Sequence, residues 1–226
     1  MTMPQVPPER PMQPVESVPD VLEFGDLLGY AFRWGFGQYF NILLMLLLWV
    51  LTIWIPYVNI GTTIAVTTGA PILLSRQQRI SPTFIFNREY RTVMADWLLL
   101  LGLMVGAVLF ALVFVLVPAL VLSFGWLLAP LLLVDRGMGV LESLRRSWQA
   151  TLGEKWTLFF GLLAVYFLYL LPAGLILWLL WIVLPKGEST TTVIMRLYTL
   201  LAYAGLAAVD MGFTGYVYAV LGKRVS

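Results

Sequence analysis

Asp210 is the residue whose type least fits its surroundings in this sequence. It stands in the apolar stretch Ala207-Ala-Val-Asp-Met-Gly-Phe-Thr, between Arg196 and Lys223. In a continuous helix it lies about 20 Å from each of these cations, near the middle of a hydrocarbon layer about 30 Å thick. A charged aspartate at that depth costs at least about 2.5–3.5 kcal/mol, so we expect it to be protonated, paired or facing water.

Two interpretations of Asp210 follow from that position. In the first it is a proton or cation site, the ordinary function of an ionisable residue inside a membrane. In the second it is a neutral acid that is hydrogen-bonded to a tyrosine or threonine of a neighbouring span. The candidate partners are Tyr166, Tyr169 and Tyr203.

Threonines and small residues occupy the other unusual intramembrane positions. Thr62, Thr63 and Thr67 share one short apolar segment. They would either line a polar path or bond the carbonyls of their own helix and pack between helices. Small residues four positions apart let helices approach closely, within this chain or with a partner. Such residues are Gly102 and Gly106 in one segment, and Ala204, Ala208 and Gly212 in another.

Six arginines next to amphipathic segments are candidates for binding anionic lipid headgroups. Each basic residue near an anionic membrane surface is worth about 1 kcal/mol. The alternative is that they only determine the orientation of the chain in the membrane. They are Arg76, Arg79, Arg88, Arg91, Arg145 and Arg146.

The missing residue types exclude most catalytic chemistry. The chain has no cysteine and no histidine, which excludes disulfides, iron–sulfur clusters, and zinc or haem held by those side chains. Phosphate loops, serine triads and paired catalytic carboxylates are also missing, so we expect no enzyme and no cofactor. A net charge of +2 is too small to indicate nucleic-acid binding.

The composition is that of an integral membrane protein. Hydrophobic residues make up 60% of the chain and charged residues 12%, against about 45–50% and about 25% in soluble domains. Uncharged runs occur at 42–75, 97–134, 156–185 and 197–209. Since a span needs about 20 apolar residues, the first two runs are too long for one crossing and each suit a tight hairpin of two spans. We predict an all-α polytopic fold with about six transmembrane helices.

The predicted helices form one membrane domain, 21–226, after a proline-rich tail, 1–20, that we expect to be disordered. Apolar stripes opposite polar faces at 21–37 and 138–153 predict two amphipathic helices lying in the membrane interface. Pro172 could break the fifth span into a re-entrant pair. The predicted spans are 41–56, 62–75, 96–117, 118–134, 156–184 and 194–221, with a polar turn at 186–192.

The basic residues also predict the orientation. Of the 14 lysines and arginines, all but Lys186 and Arg196 fall on the side that holds both termini. Basic residues stay on the cytoplasmic side. Both termini are therefore predicted to be cytoplasmic.

A weak internal repeat relates 21–75 to 138–195. Gly37-Gln-Tyr-Phe matches Gly153-Glu-Lys-Trp, and Pro56 and Pro172 follow at equal distances. If real, the repeat gives two parallel units, each an interfacial helix followed by a span.

Several motifs carry a resemblance to a family. They are Ile55-Pro with Asn59-Ile-Gly, Phe84-Ile-Phe, Val117-Pro-Ala-Leu, Ala129-Pro-Leu-Leu-Leu-Val-Asp-Arg-Gly, Leu144-Arg-Arg-Ser-Trp and Thr151-Leu-Gly-Glu-Lys-Trp. Over about 22–222 the chain resembles a broad family of mostly uncharacterised bacterial multi-pass membrane proteins, related to the membrane domain of some glycerophosphodiester phosphodiesterases. The resemblance implies a six-span helical fold with interfacial helices in a bacterial inner membrane. It brings no catalytic residues, because residues 1–226 contain no phosphodiesterase domain.

Two functional hypotheses result. The first is a non-enzymatic membrane protein that organises lipid or a protein partner, either a second copy or another membrane protein. The second is a small channel or transporter for an ion or small solute that uses Asp210. A membrane subunit of a larger enzyme or exporter is a third possibility.

Overall fold

The computed structural model describes residues 21–114, 116–185 and 189–225. The predicted disordered tail, 1–20, lies outside these residues, as do positions 186–188 of the predicted polar turn. Within the described residues the protein is helical and has no strand. The all-α class is therefore confirmed.

Helices joined by short turns make up the described chain. A π-helical turn, Ala65–Gly69, joins α3 to α4, and a 3-10 turn, Pro82–Phe86, lies between α4 and α5. The α-helices are α1 (Phe24–Gly37), α2 (Tyr39–Leu51), α3 (Pro56–Ile64), α4 (Ala70–Ser75), α5 (Glu89–Thr92), α6 (Met94–Phe114), α7 (Leu116–Gly125), α8 (Ala129–Arg136), α9 (Val140–Ala150), α10 (Lys155–Val183) and α11 (Ser189–Leu221).

The multi-pass prediction is confirmed by the length and apolar character of these helices. Within the described residues, five helical stretches are long and apolar enough to cross a membrane: Pro56–Ser75, Met94–Val113, Leu116–Arg136, Lys155–Val183 and Ser189–Arg224. Helices α1 and α2 pass the same test together, although the pair is bent by 67°. The predicted number of six spans is reached if this bent pair counts as one.

Helix α1 is amphipathic, as predicted, but its apolar face packs against α11. Ala31 and Gly35 of α1 meet Ala208 and Gly212 of α11 almost backbone to backbone. A Cβ atom on Gly35 would lie 2.5 Å from the carbonyl oxygen of Ala208, and one on Gly212 would lie 2.5 Å from that of Ala31. Only small residues allow helices to approach this closely. The spacing in α11 predicts such a face, and α1 is the helix that occupies it.

The bend between α1 and α2 is fixed by the buried side chain of Gln38. Its Nε2 donates to the carbonyl oxygen of Gln78 at 2.9 Å, and its Oε1 accepts from the backbone N–H of Ile80. An amide side chain both donates and accepts, so one residue pairs two backbone groups of the loop after α4. The loop is thereby tied to the bend.

A turn at residues 126–128 interrupts the fourth span between α7 and α8. The Ser147 hydroxyl, on α9, donates to the carbonyl oxygen of Gly125 at 2.9 Å and accepts from the N–H of Leu128 at 3.1 Å. Thr151 also donates to Gly125, at 3.2 Å. Non-helical backbone at membrane depth is tolerated where protein supplies such partners. Helix α9 therefore makes the interruption possible.

Helix α10 runs without a break through Pro172, so the re-entrant pair does not form. At the matching position of the proposed repeat, Pro56 instead begins a new helix after a 3-10 turn. Each unit of the proposed repeat holds an amphipathic helix followed by an apolar helix. The two units differ from Pro56 and Pro172 onward. The repeat stays a prediction. Residues 189–192, expected in a turn, belong to α11.

Replacing Gly212 with alanine tests the contact between α1 and α11. The new methyl group would overlap the Ala31 carbonyl oxygen, so the helices must separate. We expect a loss of about 1–3 kcal/mol in stability, typical of overpacking, seen as a lower thermal unfolding midpoint in mild detergent. Gly102→Ala is the matched control, since a Cβ atom there meets nothing within 4 Å. Equal losses in the two variants would contradict the contact.

Replacing Ser147 with alanine tests the support of the span 4 turn. The buried N–H of Leu128 loses its partner, which costs about 1–3 kcal/mol. We expect lower stability and faster hydrogen exchange at the Leu128 amide. Ser123→Ala is the control, because Ser123 is exposed and bonds only the Ala119 carbonyl of its own helix, at 2.8 Å. Unchanged exchange at Leu128 would show that Ser147 is not its partner.

Candidate functional site

The antiparallel packing of α10 and α11 brings Tyr166 to Asp210. The Tyr166 hydroxyl donates to Oδ1 of Asp210 at 2.9 Å, and the aspartate is half-buried. The other two candidate tyrosines are placed elsewhere. Tyr169 donates to the carbonyl oxygen of Ala202 at 2.6 Å, and Tyr203 is 68% exposed. The hydrogen-bonded interpretation of Asp210 therefore has a specific partner.

The threonine hydroxyls of the second span bond within the α2–α3 region. Thr62 is 2.8 Å from the hydroxyl of Thr52. Thr63 accepts from the indole N–H of Trp49 at 2.9 Å, and Thr67 donates to the carbonyl oxygen of Thr63 at 2.8 Å. These bonds join α3 to the end of α2 and satisfy the helix backbone, which is the packing interpretation of the cluster.

Gly102 and Gly106 lie on an exposed face of α6. A Cβ atom built on either glycine would have nothing from the surrounding described structure within 4 Å. The expected close helix contact is therefore not made by the described part of this chain. A partner helix on this face stays a prediction.

Arg76 and Arg91 hold parts of the fold together. Arg76 forms an ion pair with Asp135 of α8, whose other oxygen accepts from the Tyr218 hydroxyl at 2.6 Å. The Arg91 side chain packs on Gly61, where a Cβ atom would lie 2.6 Å from its Cγ. Both arginines therefore make structural contacts, which the sequence did not predict beside lipid binding and membrane orientation.

Sequence reasoning missed the cluster around Asp135. Tyr90 lies beside it, and its hydroxyl packs on Gly69 of the π-helical turn. Burial raises the pKa of Tyr90, as do the carboxylates of Glu89 and Asp135, while Arg76 opposes the shift. The hydroxyl therefore stays protonated. The available signal was Asp135 itself, a charge that ends a long apolar run.

The other four arginines are exposed or half-exposed. Arg146 lies 3.7 Å from the carboxylate of Glu142, one helical turn away. The side chains of Arg79, Arg88 and Arg145 form no hydrogen bond or ion pair within residues 21–114, 116–185 and 189–225. Among the six candidate arginines, these three are the most available to an anionic ligand.

Helix α9 borders two clefts that share Arg145 and Gln149. The first cleft, between α7 and α9, has a volume of about 430 Å³ and nearly apolar walls. The second lies along the exposed face of α9, has a volume of about 490 Å³ and has mixed walls. The apolar cleft is lined by Leu122, Trp126, Leu144, Arg145, Trp148 and Gln149. The polar cleft is lined by Leu141, Glu142, Arg145, Arg146 and Gln149.

Trp148 forms a fixed wall of the apolar cleft. The ammonium group of Lys155 lies 3.2 Å from the centroid of the Trp148 ring, which is a cation–π contact. Gly125 leaves room for the ring, because a Cβ atom there would overlap it. Helix α9 buries Ser143 and Ser147, of which Ser147 bonds the turn of span 4, and its larger side chains lie beside the cleft.

The two clefts together have the polarity of a lipid molecule. A guanidinium group binds phosphate oxygens in pairs, and tryptophans are enriched at membrane interfaces. Leu141, near the start of α9, and Leu152, in the turn after it, are 74% and 63% exposed, as expected of apolar side chains that face lipid. Groups of three or more carboxylates that could hold a metal ion do not occur within the described residues.

Comparison of the chain with protein-family models, with curated proteins and with solved structures gives no match. The family resemblance in the sequence motifs therefore stays a prediction.

Proposed function

We propose that this protein is a non-enzymatic membrane protein that binds and organises anionic lipid at the cytoplasmic face of a bacterial inner membrane. The observation that carries this proposal is the position of Arg145. Its side chain lines both the apolar and the polar cleft beside α9. A cation at the boundary between an apolar and a polar surface suits a lipid phosphate.

The state of the Arg145 side chain supports the same function. It is exposed and forms no ion pair with another described residue, so a phosphate would not have to displace a carboxylate. Arg76, by comparison, is already paired with Asp135. Arg79 and Arg88 lie between α4 and α5. The distribution of basic residues along the chain favours the cytoplasmic side for this segment and for α9. Both arginines would add to the attraction for anionic lipid.

The proposal is tested by replacing Arg145 with glutamine. A hydrogen bond to a charged group contributes about 1.5–3 kcal/mol, more than the roughly 1 kcal/mol of a basic residue that is only near an anionic surface. We therefore expect binding to weaken about tenfold or more. The measurement is native mass spectrometry of the protein released from mild detergent, during titration with phosphatidylglycerol against phosphatidylcholine. Arg79→Gln removes the same charge from an exposed position outside both clefts and should have a clearly smaller effect. Indistinguishable effects of the two variants would argue against the cleft as the binding site.

A protein partner is the other form that an organising function can take. The exposed Gly102–Gly106 face of α6 favours it, because such a face allows a second helix to approach closely. The same mass spectra report whether a second copy or another polypeptide remains bound.

The rival function, a channel or transporter, is favoured by the intramembrane position of Asp210. Under our proposal the Asp210 carboxyl group only forms the contact with Tyr166. Liposomes that contain the protein should then show no more ion flux under a pH gradient than empty liposomes. Asp210→Asn keeps a carbonyl oxygen that can accept from Tyr166, so we expect the variant to stay folded with the same low flux. A wild-type flux that disappears in Asp210→Asn, but persists in the control Tyr203→Phe, would favour transport instead.

A further inference from the structure

The arrangement of the two clefts carries an inference about the class of lipid, which rests on the proposed lipid binding. We infer that the ligand is an anionic phospholipid with an uncharged, hydroxyl-bearing headgroup such as glycerol. Its phosphate lies at Arg145, its headgroup in the polar cleft and one acyl chain in the apolar cleft.

The apolar cleft positions the lipid but does not select it. Its walls are leucine and tryptophan side chains with Arg145 and Gln149 at the edge. An acyl chain gains little by moving from the bilayer into such a cleft, because lipid tails are as apolar as leucine. Selection among lipids must therefore take place at the polar groups.

The charges of the polar cleft favour a headgroup with a single negative charge. Arg146 is 3.7 Å from Glu142, so these two charges largely offset each other. Arg145 then provides one uncompensated cation, which matches one phosphodiester. A second negative charge, as in doubly ionised phosphatidic acid, would find no second uncompensated cation in the cleft and would lie near the Glu142 carboxylate.

The remaining polar group of the cleft favours hydroxyls. Gln149 is exposed and lines both clefts, and its amide both donates and accepts hydrogen bonds. A hydroxyl group has the same two capacities, whereas a choline headgroup offers no hydrogen-bond donor or acceptor beyond its phosphate. Glu142 adds a second acceptor. A glycerol headgroup fits this pair of side chains.

The test uses the full chain in lipid discs that contain phosphatidylcholine with equal amounts of phosphatidylglycerol, phosphatidylserine and phosphatidic acid. Native mass spectrometry then measures which lipids remain bound. We expect phosphatidylglycerol to be enriched about fivefold over phosphatidic acid, the effect of about one net hydrogen bond. Gln149→Leu should reduce this enrichment to the part that Glu142 causes, and should keep the preference for anionic lipids over phosphatidylcholine. Gln78→Leu, at an exposed position outside both clefts, is the control and should keep both preferences.

Glu142→Gln provides a second variant with a distinct readout. Removal of its negative charge should increase the retention of phosphatidic acid relative to phosphatidylglycerol. Equal binding of the three anionic lipids by the wild-type protein would overturn the headgroup inference and leave the proposed function intact. No preference for anionic lipids over phosphatidylcholine would overturn the proposed function itself.

Discussion

The close approach of neighbouring helices to α11 is the contact on which the rest of the fold depends. Lipid tails are as apolar as the side chains, so burial alone drives little helix association in a membrane, and packing at short range takes its place. Three glycines of α11 provide that packing. Gly212 receives α1, Gly215 lies against the backbone of Pro71 in α4, and Gly205 makes room for the Tyr169 ring of α10. Loss of the space at Gly212 or Gly215 would move a whole helix, whereas at Gly205 it would displace the Tyr169 ring.

Satisfaction of backbone groups is the second constraint, and it accounts for many of the polar side chains in the apolar helices. Tyr30 donates to the carbonyl oxygen of Leu74 in α4, and Tyr198 donates to that of Ala173 in α10. Gln38 and Ser147 pair backbone groups at a bend and at a turn. An unpaired backbone group in hydrocarbon costs several kcal/mol, so these side chains permit a fold that straight helices alone would not give. The bond from Tyr166 to Asp210 pairs two side chains in the same apolar surroundings.

The spans could be predicted from the sequence because hydropathy is a local property, read from uninterrupted apolar runs. The bend at Gln38 and the turn at 126–128 could not, because their partners lie 40 and 22 residues away in the chain. Small-residue spacing correctly indicated a packing face in α11. The same spacing at Gly102 indicates a face without showing which chain covers it. Only part of the candidate site could be predicted, because the sequence does not distinguish Arg145 from Arg76. The difference is that Asp135 lies beside Arg76 in the structure.

The distribution of cations explains why one arginine stands out on α9. Arg136 donates to the carbonyl oxygens of Gly222 and Val225, and Arg224 pairs with Glu154. A cation at the C-terminal end of a helix such as α11 complements the partial negative charge there. Arginines that donate to carbonyl groups at a helix end, or that pair with carboxylates, are less available to lipid. Arg145 forms no such bond with a described residue and lies beside two clefts, which is why the proposed lipid binding places the phosphate there.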